Sequence, residues 1–120
     1  MMREILFRGK CVDNGKWVYG YLSSKRTIGV FSLIGNFDEY IVDPNTVGQY
    51  TGLKDKNGKK IFEDDILIWD EKEWGYEPHI EVAEWNYDLF CMRYNDWKEF
   101  CEIIGNIYEN PELIKGKGEG

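Results

Sequence analysis

The chain has 120 residues and a formal net charge of −7, with 42% hydrophobic and 16% aromatic residues. This length favours one domain with a single core, and the aromatic content excludes an intrinsically disordered chain. The chain has neither the apolar run of about 18 residues that a membrane helix needs nor a signal-peptide pattern, so we expect a cytoplasmic protein. We place the domain at residues 1 to 115 and a flexible tail at residues 116 to 120.

The charge is distributed unevenly along the chain. Residues 1 to 60 contain ten Lys and Arg against six Asp and Glu, whereas residues 61 to 120 contain five against sixteen. This argues against a uniformly basic groove for nucleic acid, because phosphate binding is opposed by nearby carboxylates. Two interpretations stay open: opposed patches that favour self-association, or a solvated surface whose charge keeps the protein soluble.

Residues suited to catalysis or metal binding do not form a known pattern. Cys11, Cys91 and Cys101 form no CxxC pair, and one histidine, His79, cannot complete a usual zinc set. The DKNG segment at residues 55–58 begins like a calcium loop, but lysines follow where such a loop needs an oxygen ligand and a glycine. We therefore predict no catalytic residue, no metal site, no cofactor and no enzymatic activity.

The first part of the chain predicts short strands joined by tight turns. Asn14-Gly15 is a strong hairpin signal, and residues 35 to 38 are typical of a loop. Because proline lacks the amide that a central ladder needs, we expect the fourth strand to stop before Pro44. The predicted strands cover residues 5 to 8 (ended by Gly9), 16 to 22, 26 to 33 and 39 to 42.

Alternation within the second strand predicts an aromatic face. Trp17, Tyr19 and Tyr21 fall on one side, because successive side chains of a strand point to opposite faces. Such a stripe can stack nucleobases. With few cations interleaved, core packing or an oligomer interface explains it better.

Residues 46 to 66 organise the middle of the chain. We expect a kink or bulge at Gly52, because glycine takes backbone angles that other residues avoid. Asn57-Gly58 predicts a second hairpin, and the acids at residues 63 to 65 predict a sharp turn into a strand at residues 66 to 69. The hairpin tip is rich in lysine, which favours either phosphate contact or simple solubility; these lysines are Lys54, Lys56, Lys59 and Lys60.

Beyond Trp69 the patterns predict an acidic loop and further strands. The loop contains Trp74 and Tyr76, which we count as possible interaction residues. A short C-terminal helix is expected at Pro111, with Asn110 as its cap. The loop covers residues 70 to 77, and the strands cover residues 79 to 85, 89 to 94 and 97 to 104, with a short helical turn near Asp96 as an alternative at the start of the last strand. The fold class predicted is all-β: a small SH3-like or partly open β-barrel built from hairpins, with a short C-terminal helical turn.

Several of these segments together resemble the YopX family of phage and prophage proteins, and the resemblance covers residues 2 to 113. The matching segments are FRGK (7–10), WVYG (17–20), VDP (42–44), TVGQYTGLKD (46–55) and IGNIYENPEL (104–113).

The resemblance implies a small all-β protein, SH3-like or a partly open barrel, that is encoded by a phage or prophage. It implies no activity and no catalytic residue, because the family has none established. One departure is visible: the family usually has glycine between the acids of its Phe-Glu-Gly-Asp turn, where this chain has Asp64. If that position needs a positive φ, Asp64 tolerates it less freely than glycine.

The functional hypothesis is a phage-derived, non-enzymatic interaction module in the cytoplasm of the bacterial host, without membrane association. It would self-associate or bind a host or phage protein. The alternative is a nucleic-acid-binding barrel that uses the lysine tip, and a third idea is an acidic inhibitor that mimics DNA. The candidate interaction residues are Trp17, Tyr19, Tyr21, Lys54, Lys56, Lys59, Lys60, Trp74 and Tyr76.

Overall fold

The computed structural model describes residues 5–32, 34–70, 75, 77–84 and 98–115. Strands dominate these residues, and one short helix follows them, so the all-β prediction is confirmed. The strands are β1 Phe7–Cys11, β2 Trp17–Ser24, β3 Thr27–Phe31, β4 Phe37–Lys54, β5 Lys60–Phe62, β6 Asp65–Trp69, β7 His79–Val82 and β8 Cys101–Asn106, with the 3-10 turn Lys98–Phe100 before β8 and the helix α1 Glu112–Lys115 after it.

The chain divides into two compact units, Met1–Tyr50 and Thr51–Gly120, and the boundary falls within β4. The prediction of one domain over residues 1 to 115 stays a prediction. The predicted tail at residues 116 to 120 lies outside the described residues.

The first unit is built from strands whose pairings form a ring. Strand β1 pairs with both β2 and β4, β2 also pairs with β3, and β3 also pairs with β4, always antiparallel. Each of these four strands therefore pairs with two others, each over part of its length. This agrees with the small barrel that was expected, whereas its SH3-like classification stays a prediction.

The core of the first unit depends on close approach between strands. Ile28 and Val42 are almost completely buried. Cys11, which pairs with Val42 between β1 and β4, is buried as well. A Cβ atom at Gly9 would lie 2.9 Å from Val42 Cγ2 and 3.1 Å from Ile28 Cδ1, which is too close for a side chain. Glycine at this position therefore lets the opposing core side chains fill the interior.

The prediction that a strand ends before Pro44 is wrong, because β4 continues through it as a large bulge. Lys10 pairs with Asp43, and Arg8 pairs with Gly48. Between these two pairs, β4 advances by five residues while β1 advances by only two. Extra residues in a bulge make no ladder hydrogen bonds, which is why a proline is tolerated there. Pro44 is exposed.

A threonine hydroxyl bridges this bulge. Thr46 Oγ1 accepts a hydrogen bond from the Lys10 amide at 2.9 Å and donates one to the Asp43 carbonyl oxygen at 2.6 Å. The Asp43 carboxylate in turn accepts the Asn45 amide at 3.0 Å. The bulge is thus a specified structure, held on both strands by side chains within it.

The second unit contains a three-stranded antiparallel sheet in which β6 lies between β7 and β8. Strand β5 pairs with the end of β4 across the hairpin at residues 55–59. The sharp turn after Phe62 and the entry into β6 are as predicted. The core of the second unit is formed by Ile61, Leu67, Trp69, Ala83 and Cys101, with Leu53 and Ile103 packed against them.

Other predicted boundaries need correction. Strand β1 continues through Gly9 to Cys11, because glycine there packs in the ladder and does not end it. Phe37 and Asp38 pair with β3 and are not in a loop. The last strand begins at Cys101, and residues 98 to 100, predicted as strand, form a 3-10 turn. The predicted strand at residues 89 to 94 lies outside the described residues.

The predicted capping role of Asn110 is also wrong in detail. Its side-chain oxygen accepts a hydrogen bond from the Asn106 amide at 3.2 Å, while its backbone carbonyl accepts the Leu113 amide at 3.0 Å. A Cβ atom at Gly105 would lie 2.4 Å from Asn110 Oδ1. Asn110 therefore closes the turn after β8, and Gly105 makes room for it.

We predict that Thr46→Val destabilises the protein, because an isosteric apolar group cannot accept the Lys10 amide or donate to Asp43. The free energy of unfolding should fall by about 1 to 3 kcal/mol in urea titrations followed by circular dichroism. Thr46→Ser is the matched control, since it keeps the hydroxyl and should lose less. Equal losses for both variants would contradict a bridging role of the hydroxyl.

Candidate interaction surfaces

The outward side of β2, β3 and β4 displays aromatic side chains to solvent. Tyr19 is 47% exposed and Tyr21 is 57% exposed, whereas Trp17 is half-buried. The core interpretation of this predicted stripe is therefore wrong for the two tyrosines. Gly20, between them, is buried, as alternation along a strand requires.

Two phenylalanines that the sequence reasoning missed complete this surface. Phe31 is 62% exposed and Phe37 is 46% exposed, and they are paired across β3 and β4. Their ring centroids lie 4.6 Å apart, and the Tyr21 ring meets Phe31 edge-on at 6.0 Å. We call Tyr19, Tyr21, Phe31 and Phe37 the aromatic face.

A glycine allows the aromatic face to be continuous. A Cβ atom at Gly29 would lie 2.4 Å from Phe37 Cζ, so the Phe37 ring lies across the backbone of β3. Tyr21 and Glu39 flank Gly29 on the neighbouring strands. A signal existed in the sequence: continuing period-two alternation back from Glu39 would have placed Phe37 on this side of β4.

Trp17 is held at the edge of this surface by a cation. The Arg8 guanidinium carbon lies 4.7 Å from the centre of the Trp17 ring, and Arg8 is only 6% exposed. A desolvated guanidinium over an indole is among the stronger cation–π arrangements. Trp17 is thus engaged within the chain, while the tyrosines are displayed.

The predicted lysine tip lies on the hairpin between β4 and β5. Lys54, Lys56 and Lys59 are exposed, whereas Lys60 is half-buried. The Lys56 ammonium lies 3.3 Å from a carboxylate oxygen of Glu102 on β8. Because both side chains are about two-fifths exposed, this ion pair contributes little to stability, but it places a carboxylate beside the tip.

A buried carboxylate shapes the hairpin. Asp55 Oδ1 accepts the amides of Asn57 and Lys59, each at 2.9 Å, and Oδ2 accepts the Ile103 amide at 3.1 Å. The Lys56 amide donates to the Cys101 carbonyl oxygen at 2.9 Å. The tip is therefore fixed to β8, and Asp55 serves the backbone of the turn.

The other predicted candidates either fall elsewhere or lie outside the described residues. Trp74 and Tyr76 belong to the residues that the structure does not describe. His79 lies in β7 opposite Trp69, and Cys11 and Cys101 are buried free thiols. In the described ranges, no group of three or more His, Cys, Asp or Glu residues lies together as a metal site would require. No described helix has the length and apolar composition needed to cross a membrane.

A family model described as YopX protein matches residues 6 to 115, which is most of the chain. The chain belongs to the YopX family. Among solved structures, it resembles the crystal structure of protein EF1440 from Enterococcus faecalis, with 25% identity and a TM-score of 0.53. That match covers 95% of this chain and 100% of the other. No curated protein matches the chain.

The segment most specific to the YopX resemblance, TVGQYTGLKD, performs structural tasks here. Thr46 bridges the bulge, and the Tyr50 amide donates to the Leu6 carbonyl oxygen at 2.8 Å. The Thr51 hydroxyl donates to the Ile61 carbonyl oxygen at 2.7 Å, and Gly52 has a φ of +90°. The positive φ agrees with the kink predicted at Gly52. These residues of the segment thus fix the path of the backbone.

Asp64, at the position where YopX proteins usually have glycine, adopts a left-handed backbone with a φ of 71°. Its carboxylate accepts the Tyr108 hydroxyl at 2.6 Å. Its amide donates to the Ala83 carbonyl oxygen at 2.9 Å, and its carbonyl oxygen accepts the Ile107 amide at 3.0 Å. The Asp64 carboxylate thus adds a side-chain link between the β5–β6 turn and the segment after β8, whereas glycine would keep only the backbone bonds.

We predict that Asp64→Gly and Tyr108→Phe are energetically coupled. Glycine relieves the left-handed strain but removes the acceptor of the Tyr108 hydroxyl. Asp64→Gly should therefore be more favourable by about 1 kcal/mol in the Tyr108→Phe background than in the wild type. Urea unfolding of the four proteins measures the difference; strictly additive changes would show that the hydrogen bond contributes nothing.

Proposed function

We propose that this protein is a non-enzymatic interaction module of a phage or prophage, which acts in the cytoplasm of the bacterial host by binding proteins. The YopX family model matches residues 6 to 115, and the resemblance to this family implies a phage or prophage origin. The observation that supports protein binding most directly is the aromatic face, whose four large side chains are each between 46% and 62% exposed.

Exposed aromatic side chains in mutual contact are unusual on a surface that only faces water. Scattered apolar residues are normal, whereas a contiguous patch marks an interaction site. Tyrosine and phenylalanine are also enriched in the central part of protein interfaces, where they give large contact area with few rotatable bonds. The aromatic face has this composition.

Glu39 argues for a protein over a nucleic acid on this surface. It is exposed and lies in register with Gly29, on the same side as Tyr21. Surfaces that stack bases combine aromatic rings with cations along the phosphate path. A carboxylate among the rings repels phosphate, so the aromatic face suits a protein surface better.

We expect capture of proteins to depend on the aromatic face. The immobilised full chain would be exposed to nuclease-treated lysate of a host that contains the phage, and bound proteins quantified by mass spectrometry. Phe31→Ser/Phe37→Ser should lower the retention of specific partners at least about tenfold, because anchor residues near the centre of an interface provide most of its affinity.

Val12→Ser is the matched control for this experiment. Val12 is 56% exposed in the turn after β1, outside the aromatic face, so its variant should retain the same proteins as the wild type. Circular dichroism would establish that all three proteins are folded. Equal retention by the wild type and the double variant would overturn the assignment of this face.

The lysine tip supports a second candidate function, the binding of nucleic acid. Lys54, Lys56 and Lys59 are exposed within one hairpin, a local cluster of cations in an otherwise acidic chain. Glu102 beside Lys56 weakens this case, because it lowers the local positive potential.

Nucleic-acid binding through the tip would have a clear salt signature. Three phosphate contacts give a slope of log affinity against log salt of about −3, and Lys54→Ser/Lys56→Ser/Lys59→Ser should remove it. A variant with Lys16→Ser and Lys25→Ser, two exposed lysines outside the hairpin, controls for net charge. Fluorescence anisotropy with single- and double-stranded oligonucleotides, starting at about 50 mM salt, measures the affinity and its salt dependence. If the wild type binds neither oligonucleotide at that salt concentration, this function is excluded.

A further inference from the structure

We propose that the partner that covers the aromatic face is a second copy of this chain, docked face to face about a two-fold axis along β3. This inference rests on the proposed function and specifies its partner. It follows from the size of the face and the positions of its polar groups.

The size of the aromatic face fits the centre of a dimer interface. A buried aromatic side chain removes about 150 to 250 Å² from water, so four half-exposed ones offer about 400 Å² of apolar surface. A stable interface needs about 800 Å² on each partner, of which the central part is apolar. The aromatic face thus supplies about half of the area, and its polar surroundings would form the rim.

The aromatic face can associate through its side chains without any new strand pairing. Proteins often associate by adding a strand to a free sheet edge. Each strand from β1 to β4 already pairs with two others, each over part of its length. Two copies that pack through outward side chains, about 10 Å apart as stacked sheets do, bury the aromatic face itself.

The row of residues through the middle of the face is self-complementary. Tyr21 on β2, Gly29 on β3 and Glu39 on β4 are cross-strand neighbours, with the glycine at the centre. A two-fold axis along β3 lays β2 of one copy over β4 of the other. The Tyr21 hydroxyl of each copy then meets the Glu39 carboxylate of the other, and the same contact forms twice.

The pairing of a phenol with a carboxylate distinguishes this partner from others. A hydroxyl that donates to a carboxylate makes a charge-assisted hydrogen bond, about twice as strong as a neutral one. Tyr21 and Glu39 are both exposed and available for it. Phe31, on the axis strand, would pack against its own equivalent, and aromatic pairs add favourable contact energy beyond their area.

Sedimentation equilibrium of the purified full chain, from about 1 to 500 μM, tests the inference. We expect a monomer–dimer equilibrium for the wild type. Phe31→Ser should raise the dissociation constant at least about thirty-fold, as expected for a central aromatic anchor. Val12→Ser, on an exposed residue outside the face, should leave it unchanged within about two-fold, as for a residue away from the interface.

Exchanging the residues at positions 21 and 39, so that the carboxylate lies on β2 and the phenol on β4, tests the two-fold axis itself. Tyr21→Glu alone would bring two carboxylates together across the interface, and should abolish the dimer. Adding Glu39→Tyr restores one phenol and one carboxylate in each pair, so the double variant should dimerise again. Recovery of this kind does not follow from a merely structural role of either residue.

The outcomes separate this inference from the proposed function. A wild-type chain that stays monomeric to 500 μM, or a dimer unaffected by Phe31→Ser, overturns the second copy as partner. So does a double swap that does not recover dimerisation. If the monomeric chain still retains a host or phage protein through the aromatic face, protein binding stands and only the partner is wrong. Loss of both dimer and capture overturns both.

Discussion

The bulge in β4 is the constraint on which the first unit depends. One strand must pair with β3 through its first residues and with β1 through later ones, and the bulge between Asp43 and Gly48 lies within the second pairing. Between the pairs that contain these two residues, β4 advances by five residues while β1 advances by two. Because strand side chains alternate with a period of two, this odd difference shifts the alternation of β4 relative to β1. Thr46 specifies this change by binding both strands. The closure of the ring between β1 and β4 follows from that register.

The second unit is organised by carboxylates that serve the backbone. Asp55 accepts three amides, and Asp65 accepts the Phe62 amide at 2.7 Å across the β5–β6 turn. Asp64 joins that turn to Tyr108. These three carboxylates each accept hydrogen bonds that fix the path of the chain.

Local signals in the sequence predicted local structure well. Asn14-Gly15 and Asn57-Gly58 both form turns, with positive φ at each glycine, because backbone preference alone decides a tight turn. The prediction that a strand ends before Pro44 was wrong because a proline interrupts a strand only where the neighbouring strand needs its amide. Pro44 lies in a bulge, where no such hydrogen bond is required. The alternation of Tyr19 and Tyr21 indicated a shared face but not its exposure, which depends on where distant strands pack.

Contacts between distant residues were beyond prediction for a physical reason. Phe31 and Phe37 meet because a short turn joins β3 to β4, yet the aromatic segment was split between a predicted strand and a predicted loop. Asp64 and Tyr108 are 44 residues apart, and no local propensity links them. The family resemblance drew attention to residues 46 to 55, and Thr46, Thr51 and Asp55 in that stretch support the architecture.

The ring of the first unit also has a consequence for the order of folding. The β2–β3 hairpin closes across a two-residue turn, whereas Cys11 must find Val42 after the intervening strands have formed. Loop-closure entropy makes the short-range hairpin the easier nucleus and the β1–β4 seam the slower step. The aromatic side chains gather on β2, β3 and the start of β4, so they assemble before the seam closes. Newly made chains would then display this surface while their interior is still open to water, and encounters between them would be most hazardous at that stage.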